Sequence, residues 1–80
     1  MKNPRIVLNK IKWKEDLDFK KAEVWYLHRG AKNDTRIVTG REIIDITRSF
    51  VKTKSATVPF HRIFKIVYKN KTIFKREKYR

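Results

Sequence analysis

The stretch Ala22-Glu23-Val24-Trp25-Tyr26-Leu27-His28-Arg29 decides the fold. It alternates with period two. Val24, Tyr26 and His28 fall on one face; Trp25, Leu27 and Arg29 fall on the other. Apolar residues on both faces mark a central strand with neighbours on either side. Downstream, Gly30-Ala31-Lys32-Asn33-Asp34 reads as a turn and residues 35–38 as a short returning strand. Upstream, Asn3 caps a short helix whose first position is Pro4, where the missing N–H costs nothing. Val7, Leu8 and Ile11 share one face of that helix, which ends near Lys12. Trp13 is expected to plug the following loop against the core. Residues 14–21 form a polar loop anchored by Leu17 and Phe19.

The second half is richer in strands. Thr39-Gly40-Arg41-Glu42 matches the S/T-x-x-E capping box and predicts a short helix over residues 40–46. Residues 50–53 and 56–60 read as strands around Lys54-Ser55. Residues 63–69 and 72–77 read as a hairpin joined by Asn70-Lys71. Pro59 lacks a donor, so it belongs on an edge strand or at a bend, and a second copy of the chain has room to cover such an edge as a homodimer. The sum is α+β: a twisted antiparallel sheet or partial barrel of about five or six strands with two short helices.

Length and charge narrow the function. Eighty residues are one domain, residues 1–80, with a modest core. Lys plus Arg number 22 against 8 Asp plus Glu, a net charge of +14. Residues 1–40 hold ten basic and five acidic side chains, residues 41–80 twelve and three, so the positive field is concentrated in the C-terminal half. The acids Glu15, Asp16 and Asp18 form a solvated cluster in the first half. With 40% apolar residues and 12% aromatic, the chain folds despite its self-repulsion. The absence of cysteine excludes disulfides, zinc ribbons and thiol catalysis. No apolar run approaches a membrane span, and no signal peptide is seen, so the expected compartment is the cytoplasm. A basic domain of this kind meets a polyanion, and nucleic acid is the commonest.

Two constellations carry possible chemistry. The dipeptides His28-Arg29 and His61-Arg62 hold both histidines of the chain. Guanidinium offers phosphate a bidentate fork, and protonated imidazole donates from either nitrogen. The plain alternative makes His28 a half-buried strand residue and His61 a bend residue. Two histidines also suit a metal-free cyclic phosphodiesterase, one as base and one as acid, if they meet. They are a poor metal-ligand set, and no cofactor motif is present. The C-terminal hairpin interleaves Lys65, Lys69, Lys71, Lys75, Arg76 and Lys78 with Phe64, Tyr68, Phe74 and Tyr79. The cations suit an RNA backbone and exposed rings suit base stacking, although part of this aromatic set is expected to be core.

The runs Leu8-Asn9-Lys10-Ile11-Lys12-Trp13, Tyr26-Leu27-His28-Arg29-Gly30 and Val58-Pro59-Phe60-His61-Arg62-Ile63 resemble a small, mainly archaeal family described as an RNA cyclic-group end-recognition domain. Pro59 to Ile63 is the strongest signature and Lys12-Trp13 the second, and the similarity runs from about Pro4 to Glu77. The resemblance implies binding of RNA ends that carry a 2′,3′-cyclic phosphate, in RNA processing or repair. Carried over, His61 and Arg62 are the first candidates for the phosphate pocket, with His28 and Arg29 next. Tyr26 and Trp13 would support or line it. Phe74 stands where many members have a tryptophan, which weakens any stacking there. The competing reading is a small basic protein held on ribosomal or other folded RNA, or on duplex DNA.

Overall fold

A computed structural model describes residues 3–14, 16–30 and 32–76 of the chain. Helix α1 spans Pro4–Trp13. Seven strands follow: β1 Ala22–Leu27, β2 Thr35–Thr39, β3 Ile43–Ile46, β4 Phe50–Thr53, β5 Thr57–Pro59, β6 Ile63–Tyr68 and β7 Lys71–Lys75. They form two antiparallel sheets, one of order β2-β1-β6-β7 and one of order β3-β4-β5. β1 is central, as its two-faced pattern requires, and Pro59 ends the edge strand β5. The expectation of about five or six strands in one sheet or partial barrel is corrected. The strands divide between two sheets, and neither closes on itself.

The reason lies at residues 40–46. The capping-box signature is real: the Thr39 N–H donates to Glu42 Oε1 at 2.9 Å. It closes only a single 3₁₀ turn, Gly40–Glu42, rather than a helix. The next residues are Ile43, Ile44 and Ile46, whose branched Cβ atoms suit a pleated strand better than a helix. They become β3, and one expected helix becomes a seventh strand. Gly40 is required where it stands, because a Cβ there would overlap the Phe19 carbonyl oxygen. That close approach packs the 3₁₀ turn Phe19–Lys21 against the turn at Gly40.

Helix α1 forms as its start signal says. Asn3 is extended, and its side-chain oxygen accepts from the Ile6 N–H at 2.9 Å. Val7, Leu8 and Ile11 are buried and join Val24, Tyr26, Ile63, Ile66 and Phe74 from the large sheet and Val51 and Val58 from the small one. Each such aliphatic burial contributes about 1.5–3 kcal/mol. Both sheets therefore share one core. Tyr68 is buried too, and its hydroxyl accepts the Asp18 N–H at 2.7 Å, which pins the loop after α1. Among the described residues no helix is long and apolar enough to cross a membrane.

Two irregularities aim side chains. The β1–β6 register runs Trp25↔Lys65 and then Tyr26↔Ile63, so Phe64 is an extra residue in β6. Ile63 and Ile66 both point into the core, and the bulge leaves consecutive residues Phe64 and Lys65 on the face opposite the core. At the β6–β7 hairpin the loop is Lys69-Asn70, both at positive φ (50° and 68°), one residue earlier than the sequence reading placed it.

Candidate functional site

Four basic side chains from segments far apart in sequence meet at the start of α1. Arg5 lies in its first turn, Arg48 in the loop between β3 and β4, His61 in the 3₁₀ turn Phe60–Arg62 and Arg76 just after β7. With Asn3 and Phe60 they line a concave site of about 300 Å³.

Backbone contacts hold the segments in place. Thr47 Oγ1 accepts from the N–H groups of Ser49 (3.3 Å) and Phe50 (3.0 Å) and donates to the Phe50 carbonyl (2.9 Å), which fixes the loop carrying Arg48. The Phe60 N–H donates to the Ser49 carbonyl at 3.2 Å, tying that loop to the turn carrying His61. Arg76 Nη1 donates to the His61 carbonyl at 3.3 Å, and the Arg76 N–H donates to the Phe64 carbonyl at 2.8 Å.

The electrostatics have one sign. The first turn of α1 has no acidic residue, so the positive end of the helix dipole adds to Arg5 rather than being neutralised. Among the described residues no carboxylate pairs with Arg5, Arg48 or Arg76. The guanidinium groups of Arg5, Arg48 and Arg76 and the His61 imidazole around one concavity suit a compact anion with several acceptor oxygens. A phosphate group is such an anion.

The expected pocket residues divide on this geometry. His61 lines the concavity. Arg62, its neighbour, is exposed and does not. The register Tyr26↔Ile63 brings His28-Arg29 and His61-Arg62 out at the same end of the β1–β6 pair. Even so, His28 and Arg29 are not part of the lining. His28 is half-buried, its N–H donates to the Asp34 carbonyl at 2.8 Å, and its ring meets Tyr26 edge-on with centroids 6.3 Å apart. Tyr26 is 7% exposed and supports His28 from within the core.

Two aromatic expectations are corrected. Trp13 does not plug the loop. It is 76% exposed at the C-terminal end of α1, about 14 Å along the axis from Pro4 at a rise of 1.5 Å per residue. The face defined by Val7, Leu8 and Ile11 leaves it pointing to solvent. Phe74 is 9% exposed and packs in the core opposite Ile66, so its ring has no free face for a base; the Arg76 guanidinium sits 5.8 Å from its centroid.

The hairpin cations also divide. Lys65 lies over Trp25, with Nζ 4.4 Å from a ring centroid, and pairs across the ladder with Lys75. Lys69, whose Nζ is 5.6 Å from the Tyr68 ring, and exposed Lys71 lie at the far end of β6, about 20 Å from the His61 turn at 3.3 Å per residue. Lys78 and Tyr79 lie outside the described residues. The sequence reading missed Arg5, Arg48 and Asn3. The one local signal was an Asn-Pro helix start followed by Arg5 with no acid nearby.

Comparison with known proteins agrees with the resemblance. The UPF0248 protein MmarC7_1289 of Methanococcus maripaludis strain C7 is 43% identical over 61 residues, covering 76% of this chain and 79% of that protein. The UPF0248 protein MmarC5_1387 of strain C5 is 39% identical over the same shares. No solved structure matches. The model of the MJ1316 RNA cyclic group end recognition domain matches residues 1–76, and the chain belongs to that family.

Proposed function

We propose that the domain binds RNA ends carrying a 2′,3′-cyclic phosphate, in RNA processing or repair, and that the concavity at the start of α1 receives the terminal phosphate. The convergence of Arg5, Arg48, His61 and Arg76 on one site carries this reading. The family's name supports it independently. A concave receptor suits a chain end. There the phosphate oxygens stand at the tip, whereas an internal phosphodiester is flanked by ribose on both sides.

Short oligonucleotides identical except for the 3′ end test it by fluorescence anisotropy. A cyclic-ended strand is expected to bind at least tenfold more tightly than a hydroxyl-ended one, about 1.4 kcal/mol. His61→Ala should shrink that ratio. A basic surface that holds folded RNA without regard to its ends gives equal affinities, and loses more from Lys69→Ala and Lys71→Ala together than from His61→Ala. That result overturns the proposal.

A further inference from the structure

We infer that the outer face of the four-stranded sheet, floored by Trp25, is a stacking site for the unpaired base of the last nucleotide at the bound RNA end. This rests on the end-binding reading and extends it to the substrate class, single-stranded RNA.

One cross-strand row builds the site. Ile37, Trp25, Lys65 and Lys75 are successive partners across β2, β1, β6 and β7, so all four project from the same face. The bulge in β6 adds Phe64 beside Lys65. With Arg76 these residues line a depression of about 550 Å³, nearly twice the volume of the cradle. Ile37 is 49% exposed there. Trp25 is held in orientation by its indole N–H, which donates to Glu23 Oε1 at 3.3 Å.

An apolar and aromatic floor with Lys65, Lys75 and Arg76 at its rim is complementary to a base together with its phosphates. Lys65 now covers the indole, but a cation–π contact at an exposed site is weaker than a base stack. Its flexible stem lets the ammonium leave the ring for a backbone phosphate. Arg76 lines both this depression and the cradle, so the two sites adjoin. A strand whose terminal phosphate sits against Arg76 has the base of that same last nucleotide beside Trp25.

The chain holds two tryptophans, Trp13 and Trp25, so Trp13→Phe leaves Trp25 as the only indole reporter. Titrating that variant with a cyclic-ended oligonucleotide should quench its fluorescence along the binding curve. Unquenched emission at saturation overturns the inference without any change at Trp25. Trp25→Leu should weaken binding of the cyclic-ended oligonucleotide about tenfold, while leaving binding of an otherwise identical strand with an abasic last nucleotide unchanged. Trp25→Phe should restore most of the loss.

The two readings fail separately. If Trp25→Leu and the abasic end change nothing while cyclic ends still outbind hydroxyl ends, the stacking site is wrong and the cradle stands. If the Trp25 effects hold but the ends bind equally, end recognition is wrong and the stacking site stands.

Discussion

Removing Arg48 is the cleanest perturbation of the cradle. Its side chain lines the concavity, while the hydrogen bonds that shape its loop run through Thr47 and the backbone. Arg48→Ala should therefore leave the fold intact, with stability changed by no more than about 0.5 kcal/mol. A hydrogen bond to a charged group contributes about 1.5–3 kcal/mol, and Arg48 is exposed, so solvent screening favours the lower end. A loss of about 1.5 kcal/mol weakens binding of a cyclic-ended oligonucleotide about twelvefold. One phosphate contact fewer also flattens the slope of log affinity against log salt by about 0.7. Arg48→Lys keeps the charge but not the fork, so it should restore the slope and only part of the affinity. Anisotropy titrations at four or five salt concentrations measure both quantities. Unchanged affinity together with an unchanged slope would refute a role for Arg48 in holding the phosphate.

Substitutions at three further positions probe the scaffold. Leu8 is fully buried, so Leu8→Ala should cost about 3 kcal/mol and lower Tm by about 12–24 °C in a domain of this size; a shift of only a few degrees would contradict the shared core. Gly40→Ala should cost about 1–3 kcal/mol in urea unfolding, because the added methyl meets the Phe19 carbonyl, and wild-type stability would mean that the two turns are not in contact. Asn3→Ala should cost about 1 kcal/mol and Asn3→Ser almost nothing, since serine also caps; equal losses from both would remove the capping role.

Where a local pattern specified a local structure, the sequence was readable. The apolar face of α1, the central strand and the edge position of Pro59 all follow from spacing and from the chemistry of single residues. The extra strand was hidden because a capping-box signature satisfies one turn as well as it starts a helix, and the isoleucines after Glu42 then decide for a strand. The cradle was half visible. His61 follows from the turn after Pro59, but Arg5 and Arg48 join it only through the packing of α1 and of the β3–β4 loop. No spacing rule connects residues 43 positions apart. The alternation marks Trp25 only as a strand residue, because a bulge that brings Phe64 to its side leaves no mark in a period-two pattern.

Amide and arginine side-chain NMR shifts during titration with cytidine 2′,3′-cyclic monophosphate, with cytidine as the control, address the phosphate cradle most directly. Shifts at Arg5, Arg48, His61 and Arg76 with the cyclic nucleotide, and none there with cytidine, are expected. Shifts confined to the Lys69–Lys71 turn, or the same pattern with both ligands, would contradict it.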